Sequence, residues 1–140
     1  RLFKITLQSL AIRGPNPDLE GVFRVAVKAH AGALIPIRSA VTLRYRKQIV
    51  ELAIKNQLPS MHDASNEIET GGLVSYSVND ADQWRRAAVY VDKILKGTKP
   101  GDLPVEQPMK FEFVFNLKTA KQIGLTIPPN VLVRADRVIR

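Results

Sequence analysis

Three short polar groups carry the side chains with which this chain could do chemistry: Arg38-Ser39, His62-Asp63 and Ser75-Tyr76-Ser77. Each follows a short apolar run and so reads as the tip of a strand, where loops and helix N-termini converge in α/β sheets and ligands bind. Together they offer a cation, a titratable ring, a carboxylate, hydroxyls and an aromatic face. That set suits a small polar or zwitterionic organic molecule.

The same inventory provides poorly for catalysis. The chain holds two histidines and no cysteine, so thiolate chemistry and disulfides are excluded and a metal would need carboxylates gathered by the fold. His62-Asp63 is the only adjacent acid/base pair, and neighbours on a strand point to opposite faces. There is no GxGxxG after a strand, no phosphate loop, no GxSxG elbow and no HExxH. His30, at a helix end before Gly32, reads as a C-terminal cap interacting with the helix dipole. No catalytic residue, metal or cofactor is expected, and the seven tip residues are ligand-binding candidates.

Bulk properties narrow the partners. At 140 residues and 45% hydrophobic content the chain fits one ordinary globular domain. No run approaches the roughly 20 apolar residues of a membrane helix. The net charge of +8 raises nucleic acid as a partner, but the basic residues are scattered. The densest groups, Arg44-Tyr45-Arg46-Lys47 and Lys93 to Lys99, lie on solvent faces of amphipathic helices, without zinc-finger spacing or an RNA-binding aromatic signature. Nucleic acid is therefore not expected. The chain opens on Arg1-Leu2-Phe3 without Met, as a processed protein or a fragment would.

Alternating strand and helix periods supply the elements that position the tips. A strand is expected from Lys4 to about Ile12, ended by Gly14-Pro15-Asn16-Pro17. Asn16 then caps a helix with Pro17 at its first position and Leu19, Val22, Phe23 and Ala26 on one side. The apolar run Ala33 to Ile37 suits a parallel strand covered on both faces. A helix from about Thr42 to Asn56 stops at Leu58-Pro59, Ser60 to His62 forms a short strand, and Asn66 to Glu69 makes at most one turn.

Gly71-Gly72 open a strand at Leu73-Val74 that ends in Ser75-Tyr76-Ser77. Asn79 or Asp80 caps a long helix closed by Gly97, with Trp84, Ala87, Ala88, Val91, Ile94 and Leu95 forming its packing stripe. Leu103 to Pro108 is an extended connection, Phe111 to Phe115 a strand, Leu117 to Ile123 a helix ended by Gly124, and Asn130 to Arg134 a short helix before Arg137-Val138-Ile139. This grammar predicts an α/β three-layer sandwich with a mainly parallel sheet.

The tract Ile49-Val50-Glu51-Leu52-Ala53 with Asn56 and Leu58-Pro59, then GGLVSYS, RRAAVYVDKILKGTKPGDLPVEQP, FEFVFNLKTAKQIGLTIPP and RADRVI, resembles the carboxyl half of an ABC transporter substrate-binding protein. The resemblance covers about Leu7 to Arg140 and is strongest from Gly71, in the branch that includes tryptophan receptors. It implies one lobe of a type I periplasmic binding protein-like fold, acting outside the cytoplasm. A second, amino-terminal lobe and a membrane permease would be its partners, and an amino acid or an aromatic or organic acid its ligand.

On this resemblance Ser75 and Tyr76 carry over as cleft positions, Ser77 stands where relatives commonly have Gly, and Met61 to Thr70 departs from the family pattern. Leu103 to Pro108 is the hinge candidate within a single lobe spanning residues 1–140. Two other readings of the fold are a ligand-sensing regulatory domain and a small flavodoxin-like enzyme.

Overall fold

The structure is a computed structural model, described over residues 5–140. Its centre is a four-stranded sheet in the order β1-β2-β3-β4, built from Met61–His62, Val74–Val78, Phe111–Asn116 and Arg137–Ile139. β1 pairs parallel with β2, and β3 parallel with β4, while β2 and β3 run antiparallel. The sheet is thus mixed with parallel pairing predominant. The antiparallel rung follows from chain order: the helix between β2 and β3 does not lie across the sheet, so the chain returns beside the strand it left.

Around the sheet lie α1 (Leu19–Lys28), α2 (Ala40–Arg44), α3 (Arg46–Lys55), α4 (Ser65–Glu69), α5 (Asp80–Leu95), α6 (Leu117–Gln122) and α7 (Pro129–Leu132). One apolar cluster joins Leu19, Phe23 and Ala26 of α1 to Ile49, Leu52 and Ala53 of α3 and to Leu58, with Leu10, Ile12, Leu34 and Tyr45 leaning on it. A second joins Leu73 to Ala120 and Ile123, with Ile54, Val74 and Ile127 at its edge. Helical spacing of the apolar residues on α1 and α3 puts them on facing stripes.

Several expectations need correction. Lys4 lies outside the described residues, and the stretch after it forms no strand: Ile5 and Leu7 are 66% and 88% exposed. Only Leu10 and Ile12 touch the core, because no neighbouring strand among the described residues offers this segment a ladder. The Ala33 to Ile37 run makes a single parallel bridge, Leu34 to Ser60, and Ile35 and Ile37 are exposed.

Asp18, not Asn16, caps α1, accepting from Gly21 N–H at 2.8 Å. Asn16 instead accepts from the Tyr45 hydroxyl at 3.3 Å. The helix expected from Thr42 to Asn56 starts earlier, at Ala40, behind a reciprocal Ser39–Thr42 capping box, and breaks at Tyr45 into α2 and α3.

The expected packing stripe of α5 is left uncovered among the described residues, none of the residues of this helix being buried. Its cap is as expected, with Asn79 accepting from Asp82 N–H at 3.0 Å.

Five helices end alike, the residue after the cap turning left-handed so that paired N–H groups close onto the last turn. Gly71, Gly97 and Gly124 do this without steric cost, and His30 and Gln57 do it with a side chain, at φ of 55° and 52°. His30 therefore closes α1 with its backbone, donating to Val27 C=O at 3.0 Å.

Candidate functional site

The carboxyl ends of the Leu34 segment and of β1 deliver Arg38 and His62-Asp63 to one place. Arg38, His62 and Asp63 line a niche with Pro36, Thr42, Arg46, Ile49 and Glu67. Its enclosed volume is about 10 Å³, the scale of one water-sized group. Ser39 stands beside it and holds the start of α2, its hydroxyl accepting from Thr42 N–H at 3.1 Å while the Thr42 hydroxyl accepts from Ser39 N–H at 2.8 Å. That box fixes the backbone on which Arg38 rides.

The floor is a buried chain of hydrogen bonds. His62 Nδ1 meets Glu67 Oε2 at 2.5 Å and His62 Nε2 meets Ser60 Oγ at 2.9 Å, and Ser60 Oγ accepts from Leu73 N–H at 3.5 Å. With Nδ1–H donating to the carboxylate, Nε2 accepts the Ser60 proton, so every group in the chain has a partner. Ser60 and His62 are each 3% exposed, so this serine–histidine–glutamate arrangement lies beneath the niche surface. It acts as a brace that orients the strand end carrying Asp63.

Gly72 makes the brace possible. A Cβ there would lie 2.8 Å from the His62 ring and 2.9 Å from Glu67 C=O.

The third group behaves differently. Ser75, Tyr76 and Ser77 lie within β2, not at its tip, which falls at Val78-Asn79. Register sets Ser75 beside His62, and alternation turns Ser75 and Ser77 to one face and Tyr76 to the other. Both serines are buried, and their hydroxyls have no partner among the described residues. Tyr76 is exposed and stacks on Phe111 with ring centroids 5.3 Å apart, its edge contact with Phe113 at 5.9 Å.

The structure therefore gathers Arg38, His62 and Asp63, seats Ser39 next to them, and sends Tyr76 to an aromatic patch on the opposite face. Sequence reasoning passed over Thr42, Arg46 and Glu67. A signal existed for the first two, which fall four residues apart in the single helix expected from Thr42 to Asn56.

Chemically, the niche counts two arginines and Asp63 among its lining residues. Arg forks bind carboxylates in bidentate fashion, and a carboxylate receives an ammonium. A larger open groove of about 690 Å³ runs between residues 9–13 and α1, lined in part by Leu10, Ile12, Val22 and Val25. It contains none of the seven candidates.

Comparison with known proteins follows the same lines. The model of the family described as ABC transporter substrate binding protein matches residues 2–139. Among solved structures, a conserved domain protein from Vibrio cholerae superposes with a TM-score of 0.78 at 24% identity, over 86% of this chain and 40% of that one. The ABC domain from Streptococcus pneumonia in complex with L-Trp gives 0.73 at 28% identity, over 85% and 41%. The ligand-free, open structure of CD0873, a substrate binding protein with adhesive properties from Clostridium difficile, gives 0.63 at 17% identity, over 89% and 42%. The chain thus spans about 40% of the length of these structures. No match was found among curated protein sequences.

Proposed function

This chain belongs to the ABC transporter substrate binding protein family, and on that premise we propose that it forms one lobe of an extracytoplasmic receptor. The receptor would hold a small organic solute between two lobes and present it to an ABC permease in the membrane. The amino-terminal lobe would supply the second wall. An amino acid, or an aromatic or organic acid, is the proposed solute class, and the role needs neither a cofactor nor nucleic acid.

The observation that carries this reading is the niche at the sheet edge. Arg38 and Arg46 beside Asp63 match the carboxylate and ammonium of a zwitterion, and the buried Ser60–His62–Glu67 chain fixes the floor beneath them. The L-Trp complex of a similar structure supports the solute class. A niche of one-group size would bind a solute fully only when a second wall closes over it. Solute would shift an open–closed equilibrium through contacts from both walls.

The hinge candidate, Leu103 to Pro108, is strapped to α5: Tyr90 O–H donates to Pro104 C=O at 2.6 Å, and Arg86 pairs with Glu106. We therefore propose that bending concentrates one step away, at Val78-Asn79 and Lys110-Phe111. There Val78 opposes Phe111 and Asn79 N–H donates to Lys110 C=O at 3.0 Å.

The test is a thermal screen of the full-length protein against amino acids and aromatic and organic acids. A cognate solute at a hundredfold its Kd stabilises by about 2.7 kcal/mol, and Arg38→Gln should weaken its binding roughly tenfold or more. A melting curve unmoved by every member of the panel, or a full-length protein found in the cytosol, overturns the proposal.

A further inference from the structure

Of the residues that line the niche, His62 is the one whose side-chain type can gain or lose a proton near neutral pH, and its surroundings decide which way a solute would push it. Its side chain is 1% exposed and engaged at both ring nitrogens, by Glu67 Oε2 at 2.5 Å and by Ser60 Oγ at 2.9 Å. A proton arriving at Nε2 turns that atom from acceptor to donor. Ser60 Oγ can receive the bond, because a hydroxyl rotates and has lone pairs to offer. Glu67 accepts from Nδ1 in either state, so the same heavy-atom arrangement serves the neutral ring and the imidazolium.

The charges that face the ring come from four places. Glu67, on α4, favours the imidazolium. Arg38, beyond the Leu34 bridge, and Arg46, on α3, line the same niche and oppose it, as like charges do. Asp63, the next residue of the chain, is also among the lining residues and favours it. From β2 comes Ser75, in register with His62, uncharged and buried, its hydroxyl without a partner among the described residues. Two cations thus stand against two carboxylates, and the proton on the ring sets whether the niche is neutral or cationic. A solute carboxylate set against either arginine tips that balance toward the protonated ring.

We propose that His62 couples solute to protons: a carboxylate entering the niche is bound together with a proton, taken up from water at His62 Nε2. The coupling rests on the niche being the solute site, as read above. Its sign follows from reciprocity between the two ligands. If the carboxylate raises the ring's hold on its proton, the proton raises the hold on the carboxylate by the same factor. Affinity is then lowest in alkali, where the ring is neutral with and without solute, and rises as pH falls.

Nitrogen NMR of the imidazole rings in the full-length protein tests this with acetate, the probe, and with acetamide as its uncharged counterpart. Between about pH 8 and about pH 6, where acetate stays ionised, the His62 ring should take up its proton at higher pH in excess acetate than in acetamide. His30, exposed after the end of α1, should titrate alike in both. Acetate should bind roughly three to ten times more tightly at the lower end of that range, and His62→Gln should remove the pH dependence. The ring spectra need no variant, so they decide the matter even where His62→Gln does not fold. A ring that titrates identically in acetate and acetamide overturns the coupling, and so does an acetate affinity that stays flat or falls as pH is lowered. The solute screen separates the two claims: a solute response with an unmoved ring sinks the coupling alone, and an acetate-responsive ring without any solute response sinks the transport reading alone.

Discussion

Gly72 shows how tightly one position constrains the brace beneath the niche. Its backbone angle is ordinary, so the demand is purely one of space: a methyl group there meets a histidine ring held at both nitrogens and a backbone carbonyl. Neither can yield without breaking a buried hydrogen bond. Gly72→Ala should cost more than about 2 kcal/mol in a urea titration; a loss under about 0.5 kcal/mol would show that the ring has room to move. Little of this was legible beforehand. The pair Gly71-Gly72 announced a chain break, but whether a glycine serves backbone angle or clearance depends on what packs against it. Gly71 serves angle, at φ 111°, and Gly72 serves clearance. His62 and Asp63 were found as residues, whereas Glu67 was not, because its partner comes from a different element.

Among elements, the helices of the first cluster were read well, because local spacing determines which face is apolar. Their ends were read less well. Asp18 displaced Asn16 as a cap, since the helix begins where the first packing residue, Leu19, meets the core. At the far end of α3, Gln57 takes the left-handed closing position that Gly occupies after α4, α5 and α6. A side chain there is strained by roughly 1–2 kcal/mol, partly offset by the extra freedom Gly brings to the unfolded chain. Gln57→Gly should therefore stabilise by about 0.5–1 kcal/mol, raising the urea midpoint without changing the slope. An unchanged or lowered midpoint would show that the strain is relieved elsewhere. The β2 tip was misplaced for a related reason. Ser75 and Ser77 are polar and so suggested an exposed end, yet alternation buries both beside β1 and β3.

For the molecule as a whole, strand and helix alternation sufficed to predict an α/β lobe, but it could not predict that α5 turns its apolar stripe outward. The stripe is a local property, and its cover is not. What holds α5 to the rest is polar, and this makes the attachment sensitive to alkali. Partial burial, followed by the nearby Glu106 carboxylate, raises the Tyr90 phenol above its usual value. A raised folded value means that the stabilisation is complete below the ordinary phenol range and is lost as pH climbs from there through the raised folded value. The difference in melting temperature between the protein and Tyr90→Phe should accordingly shrink above pH of about 10, and a difference that stays constant to about pH 11 contradicts the role of the donated proton. The pairing of Val78 with Phe111 has a last consequence, one of connectivity. The long excursion through α5 begins and ends on a single rung of the ladder, so in topological terms it is an insertion into a β-hairpin. Loop-closure entropy grows only logarithmically with the length of what is inserted, and segments whose ends meet are the ones lineages lengthen, trim or exchange with little disturbance to their host. The sheet and the arm are free to diverge at different rates.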